Sequence, residues 1–211
     1  MRIGADEAGK GPVLGSMFAA AVRAPPEAIP DGVDDSKRLS PARREALAAD
    51  LRDDDRVEVG VAEIPVRRID GDEDMNTLTV VAQADAVAAV ARDGDGGVID
   101  AGDTSAARFA RRVAERVPAD LDLRAEHRAD ESYLLVSAAS VLAKVARDAH
   151  VADLAGRYGE VGSGYPSDPA TRAFLRRYVD THGDLPDCAR RSWSTCDDVL
   201  AAAEQSALDS F

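Results

Sequence analysis

The amino-acid sequence predicts an α/β fold, a mixed sheet flanked by helices, and three observations carry that prediction. Strand-like apolar runs gather early in the chain, at Arg2 to Ala5, Val13 to Val22 and Val57 to Ile64. A shorter run, Val98 to Ile99, follows a long helical pattern, so the strands begin as a hairpin-like group and later interleave with helices. The rest of the chain is dominated by helical periodicity. With 211 residues, 45% of them hydrophobic, the chain has material for one packed domain.

The helices are marked by their ends. Ser40 and Pro41 supply an N-cap and a first-turn proline for "ARREALAADLR", and Asn76 or Thr77 opens "LTVVAQADAVAAVARD". Further helical patterns run through "SAARFARRVAERV", "YLLVSAASVLAKVARDAHVADLAGRY", "DPATRAFLRRYVDTHG" and "SWSTCDDVLAAAE". The Asp- and Gly-rich segments "DGDEDMN" and "RDGDGG" read as solvated loops, and a tail follows about Ala203.

Composition narrows the function classes. No apolar run reaches the roughly 18 residues of a membrane span, and the first residues lack the order of a signal peptide. A soluble, cytoplasmic monomer is expected. Cys188 and Cys196 form neither a disulfide framework nor a C-x-x-C pair, which leaves them a structural role. The 39 acidic against 26 basic residues give a formal net charge of −13. Of the acids 28 are aspartate, and of the basic residues 23 are arginine and 3 lysine. That bias suggests a high-salt cytoplasm, where screening keeps an acidic surface from repelling itself, so the net charge does not exclude a nucleic-acid partner. In such a chain the surviving lysines, Lys10, Lys37 and Lys144, are candidates for specific roles.

The stretch "GADEAGKG", Gly4 to Gly11, imitates a phosphate-binding loop but fails its requirements. Gly11 stands where a hydroxyl ligand of Mg²⁺ belongs, Pro12 follows, and a strand-like segment replaces the helix. Asp6 and Glu7 would also repel the anion such a loop holds. The acids themselves are the better candidates, because carboxylates at a strand end can bind hard cations through oxygen. "GGVIDAGD" places Asp100 at the end of a short strand, where open α/β sheets commonly carry their chemistry. "EHRADESY" adds Asp130 just before a long apolar helix. Asp6, Glu7, Asp100 and Asp130 could together hold two Mg²⁺ about 4 Å apart for phosphoryl displacement. The alternative for each acid taken singly is a helix cap or a loop decoration.

The blocks "DEAGKGPVLGS", "DSKRLSP", "VIDAGD", "HRAD", "SYLLVSAASVLAKVARD", "GSGYPSDP" and "RRSW" resemble, in order and spacing, those of ribonuclease HII, especially its archaeal form. The resemblance spans residues 1 to about 195. It implies a ribonuclease-H-like mixed sheet with helices on both sides and a small C-terminal helical extension. The implied organisation is a catalytic domain over 1–195 and, over 196–211, a C-terminal helix with a tail. The implied activity is metal-dependent hydrolysis of the RNA strand of RNA–DNA hybrids, including cutting 5′ to a single ribonucleotide in duplex DNA to leave a 3′-hydroxyl and a 5′-phosphate. Ribonucleotide and primer removal in replication and repair are the roles that go with it.

Carried over residue by residue, the resemblance makes Asp6, Glu7, Asp100 and Asp130 the catalytic, metal-binding set for Mg²⁺ or Mn²⁺. Asp103 is the competing carboxylate that the motif disfavours. Gly9, Lys10 and Gly11 correspond to a substrate-backbone segment whose usual form is Gly-Arg-Gly, so Lys10 is a departure that replaces a planar fork with a point charge. Tyr165 corresponds to a tyrosine that meets the sugar at the RNA–DNA junction, and Lys37 to a lysine that contacts phosphate. Lys144 could pair with a metal-site carboxylate. Arg190 and Arg191, beside Ser192 and Trp193, read either as duplex contacts or as a helix cap with an anchored tryptophan. His127, His150 and His182 have no ligand spacing and receive no metal.

The last seven residues, "QSALDSF", resemble the peptide by which proteins dock on the replication sliding clamp, with Gln205, Leu208 and Phe211 as its anchors. An amphipathic helix end is the plainer reading. Two other function classes share some of these features. A DNA nuclease or phosphatase would use the same carboxylates without a 2′-hydroxyl sensor, and a non-catalytic hybrid- or clamp-binding module would lack metal-dependent turnover.

Overall fold

The computed structural model describes residues 1–33 and 39–208, the last three by backbone alone. Five strands form one mixed sheet: β1 (Arg2–Ala8), β2 (Met17–Ala24), β3 (Glu58–Ile64), β4 (Asp95–Asp100) and β5 (Leu121–Glu126). The helices are α1 (Pro41–Asp53), α2 (Val66–Ile69), α3 (Met75–Ala88), α4 (Ala106–Ala114), α5 (Leu134–Tyr158), α6 (Pro169–His182) and α7 (Ser194–Leu208). The sheet order is β3-β2-β1-β4-β5. β1, β2 and β3 pair antiparallel, whereas β4 joins β1 in parallel and β5 joins β4 in parallel. The mixed sheet with an early hairpin group is the predicted one.

Two compact units divide the chain. The first comprises residues 1–10, 17–64 and 74–148 and holds the whole sheet. All eight residues of β2 are buried, which explains why it is apolar except at the ion-paired Arg23, since a strand covered on both faces has no polar side to show. Ala20, Val22 and Ala24 pack with Leu47, Ala48 and Leu51 of α1 and with Ala138, Ala139 and Leu142 of α5. On the other face, a Cβ on Gly60 of β3 would overlap the carbonyl of Ala86 in α3. Small residues thus bring helices onto both faces of the sheet. The same device acts at Gly4, where a Cβ would overlap the main chain of Leu135 at the start of α5. Across one corner of this unit the buried Arg23 grips Asp95, Nε to Oδ2 at 2.6 Å, and Glu58, also at 2.6 Å.

The second unit comprises residues 11–16, 65–73 and 149–211. Its core is Val13, Leu14, Leu154, Val161, Phe174, Leu175 and Val179, with both cysteines. Cys188 and Cys196 are free and buried, and burial pushes each thiol up to about 11. They fill space, as predicted.

Several elements differ from the prediction in extent, and two were not predicted. The apolar run from Val13 to Val22 is broken at Gly15, whose φ of 77° leaves the strand region, so β2 begins only at Met17. Helix α3 is capped by Asp74, whose carboxylate accepts from the Asn76 and Thr77 N–H groups at 2.9 and 3.1 Å. Strand β5 and the single turn α2 carry no prediction, and α7 continues past Ala203 to Leu208. The caps at Ser40 and Asp168, each followed by proline, and the Gly183 stop of α6 match the sequence signals.

Candidate active site

Asp6 and Glu7 lie in the last three residues of β1, and Asp100 closes β4, the parallel neighbour. These are carboxyl ends of adjacent strands, where the sheet stops covering what its side chains carry. Successive strand residues face opposite sides, so the two neighbouring acids meet different helices. Asp6 is hydrogen-bonded to Ser140 of α5. Its Oδ1 also accepts from the Glu7 N–H at 2.7 Å. Glu7 turns toward α3, where its Oε2 accepts from the Gln83 amide at 2.6 Å.

Burial and the adjacent Glu7 charge push the Asp6 carboxyl well above its usual range, with Asp100 adding to the effect and Ser140 opposing it. Burial likewise pushes Glu7 from 4.5 up to about 7, aided by the charge of Asp100 and opposed by the Gln83 hydrogen bond and the Lys10 ammonium. Three of the predicted acids therefore share one electrostatic environment in which all cannot comfortably be ionised.

Asp130 enters from a different element. It is buried in a short 3-10 turn, Ala129–Glu131, immediately before α5. The turn is tied to β4 because Asp100 Oδ1 accepts from the Ala129 N–H at 2.6 Å. Arg128, which leads into it, adopts a left-handed φ of 59°, a backbone state that non-glycine residues hold only when surroundings impose it. The Ser137 hydroxyl donates to the Asp130 carbonyl and fixes the turn to α5.

Among the described residues no group of three or more His, Cys, Asp or Glu side chains stands at metal-binding spacing. The acids are coupled without being drawn into a cage. The donor set nevertheless suits a hard divalent cation, since it offers only carboxylate oxygens and carries charge that a cation would relieve. Asp103 is engaged elsewhere: Arg108 donates to it at 2.7 Å and holds its carboxyl below the usual range, and the Thr104 N–H donates at 2.6 Å.

The remaining predicted residues divide between the two units. In the first, Gly9 is buried with a φ of 91° that favours glycine. Lys10 donates to the Gly102 carbonyl at 2.6 Å and to Asn76 Oδ1 at 3.0 Å. Lys144 donates at 2.8 Å to the Ser140 hydroxyl, which is also hydrogen-bonded to Asp6. In the second unit, Gly11 and the exposed Tyr165 are neighbours, since a Cβ on Gly11 would lie 3.9 Å from Tyr165 Cε1. Their loops are joined by Val13 and Leu14 N–H groups donating to the Gly164 carbonyl at 2.8 and 3.2 Å. Arg190 is fully buried, donates to the Gly15 carbonyl at 2.8 Å and lies 5.0 Å from the Trp193 ring centre. Arg190 is thus packed against the tryptophan, whereas Arg191 is exposed. Asp70 accepts from the Arg191 and Ser192 N–H groups at 2.9 and 3.0 Å. His150 accepts from the Ser16 N–H at 3.1 Å, and His182 stacks on Tyr178. Gln205 falls in the last turn of α7, as does the backbone of Leu208, while Lys37 and Phe211 lie outside the described residues.

Two residues of this site carry no prediction, Gln83 and Ser140. Gln83 is a lone amide in an apolar helical run, and Ser140 stands one turn before Lys144 on α5; each is a polar residue on a face that otherwise reads as core.

The chain was compared with known proteins. The profile of the family described as Ribonuclease HII matches residues 3–196. A protein named Ribonuclease HII from the halophilic archaeon Haloarcula marismortui is 68% identical over 212 residues, covering 100% of both chains. The crystal structure of ribonuclease H2 from Pyrococcus horikoshii matches with a TM-score of 0.88 and 34% identity, over 97% of this chain and 99% of that one. The RNase HII of Archaeoglobus fulgidus, solved in complex with PCNA, matches with a TM-score of 0.83 and 33% identity over 94% and 96% of the chains. The coupled acids at the strand ends, the sheet order and these similarities converge: the chain belongs to the ribonuclease HII family, metal-dependent hydrolases that cut the phosphodiester bonds of RNA in RNA–DNA hybrids.

Proposed function

We propose that this enzyme also cuts 5′ to single ribonucleotides embedded in duplex DNA, leaving a 3′-hydroxyl and a 5′-phosphate, and so serves ribonucleotide and primer removal. Residues 1–195 form the catalytic module. Asp6, Glu7, Asp100 and Asp130 hold Mg²⁺ or Mn²⁺, which when bound supplies an acidified water and stabilises the leaving oxygen. The observation that carries this reading is the gathering of Asp6, Glu7 and Asp100 at the carboxyl ends of the neighbouring parallel strands β1 and β4. Gly9, Lys10, Gly11, Lys37 and Tyr165 are assigned to the substrate: glycines allow close backbone approach, lysines meet phosphate, and the tyrosine senses the 2′-hydroxyl. Exposure of Tyr165 and its nearness to Gly11 support that assignment.

The test is cleavage of a duplex carrying one ribonucleotide against an all-DNA duplex, with and without Mg²⁺ or Mn²⁺. Cutting is expected only of the first, only with metal, and not by Asp100→Asn, whose fold survives. Near-normal turnover in that variant removes Asp100 from the set, and equal cutting of all-DNA duplex points to a general nuclease.

The tail is assigned to the replication sliding clamp through Gln205, Leu208 and Phe211, supported by their spacing and by the Archaeoglobus fulgidus protein having been solved with PCNA. Deleting residues 205–211 is expected to weaken clamp binding and leave cleavage of short hybrids unchanged. Unaltered clamp affinity would sink the assignment.

A further inference from the structure

The amide of Gln83 stands between two of the acids. Gln83 lies in the middle of α3, fully buried. Its Nε2 carries two hydrogens and spends both on the site, one on Glu7 Oε2 at 2.6 Å and one on the Asp100 main-chain carbonyl at 3.0 Å. A single planar group thus ties the end of β1 to the end of β4 from the α3 side.

The orientation of that amide is fixed by chemistry. Exchanging its oxygen and nitrogen would press Oε1 against the Asp100 carbonyl, which has nothing to donate, and against Glu7, which when ionised has nothing to donate either. The consequence is that Oε1 points away, buried and without a hydrogen-bond partner among the described residues. An unpartnered buried oxygen is unfavourable, and what offsets it lies at the other end of the amide, in the two hydrogen bonds to Glu7 and Asp100. The amide is thus turned with its donors to the site and its acceptor away from it. Glutamine also suits the task because it donates to Glu7 while adding no charge, so the cation-attracting charge of the acids is undiminished. A lysine or arginine there would cancel it.

We propose that Gln83 is a positioning residue, whose amide holds the Glu7 carboxylate and the Asp100 strand end in the relative placement that takes up a divalent cation. The inference rests on the metal-binding reading of the acids given above. Partners that orient metal-binding carboxylates typically contribute ten- to a hundredfold in affinity or activity.

The experiment compares wild type, Gln83→Leu, Glu7→Gln and the double variant. Free Mn²⁺ is titrated by electron paramagnetic resonance, Mg²⁺-dependent cleavage of the single-ribonucleotide duplex is followed, and the fold is checked by circular dichroism. Gln83→Leu is expected to bind Mn²⁺ about tenfold or more weakly and to need correspondingly more Mg²⁺ for half-maximal rate. Its KM for the duplex at saturating metal should be unchanged. In the Glu7→Gln background the same substitution should weaken Mn²⁺ binding by a smaller factor than in wild type, because only the Asp100 strand end is then left for the amide to position. An effect below twofold in the wild-type background, or equal effects in both backgrounds, overturns the proposal. If wild type itself fails to bind Mn²⁺, the metal-binding reading falls and this inference with it. Should Gln83→Leu fail to fold, the wild-type protein decides. The Gln83 side-chain NH₂ resonances must shift on saturation with Mg²⁺, and unmoved resonances overturn the proposal.

Discussion

A carboxylate taken out of water needs a counter-charge, and Glu7 has too little. Lys10 and Gln83 favour its ionised form, but burial and Asp100 outweigh them and hold it up to about 7. In the unfolded chain the same group ionises near 4.5. Between those values the folded protein binds a proton that the unfolded chain has lost, so metal-free stability falls as pH rises through the window and the loss is complete above pH 7. Asp6, displaced in the same direction, adds to it. Glu7→Gln removes the partly buried charge and keeps an acceptor for Gln83. It is expected to make the metal-free protein more stable at pH 8 by on the order of 1–3 kcal/mol, and to flatten the slope between pH 5 and 7. Urea unfolding in EDTA measures both, and a variant less stable than wild type at pH 8 contradicts the coupling. The complement is metal linkage, since a cation must displace those protons to bind. Mg²⁺ should therefore stabilise wild type more at pH 8 than at pH 5, and stabilise Glu7→Gln less than wild type at either.

Elements place these residues by how closely they approach. Gly4 lets the start of α5 lie against β1 where a Cβ would overlap the Leu135 main chain. Helix α5 then presents Ser140 to Asp6 and Lys144 to Ser140. Gly4→Ala must push that helix outward, and a loss of about 1–3 kcal/mol or more is expected, read by thermal unfolding, with activity per folded molecule also reduced because Ser140 moves with the helix. Retained stability would mean that β1 and α5 can separate freely. This contact is invisible in sequence, where Gly4 reads only as the first glycine of a stretch that imitates a phosphate-binding loop. The legible features were those encoded within a few residues: the Ser40–Pro41 and Asp168–Pro169 caps, the Gly183 stop, and Asp100 at the end of an apolar run. Strand β5 shows the limit. Leu121, Leu123 and Ala125 alternate with Asp122, Arg124 and Glu126, a faithful period of two, but six residues with half their positions charged are drowned by the helices around them. Gln83 was hidden for the opposite reason. Its helix is so apolar that its periodicity says only that it is buried, and only Glu7, 76 positions away, reveals why an amide belongs there.

At the scale of the whole molecule the −13 charge sets two opposing salt responses. The enzyme must approach a polyanion while carrying the same sign. At about 0.1 M ionic strength the Debye length is near 10 Å, and at 1 M it is near 3 Å. Repulsion between net charges is long-ranged and disappears first, whereas contacts between basic side chains and phosphate are short-ranged and weaken gradually as counterions compete. The rate constant kcat/KM on a single-ribonucleotide duplex, corrected for the folded fraction, is therefore expected to rise as KCl is added from low salt, pass through a maximum and then decline. The folded fraction itself should only increase, because screening relieves the repulsion among 39 acidic side chains. Buried pairs such as Arg23–Asp95 exclude the ions that would screen them and keep their contribution. Separate measurement of the two curves distinguishes the effects: stability that rises with salt beside a monotonic fall in kcat/KM would show that local phosphate contacts govern association from the outset. A maximum shared by both would place the salt response in folding alone.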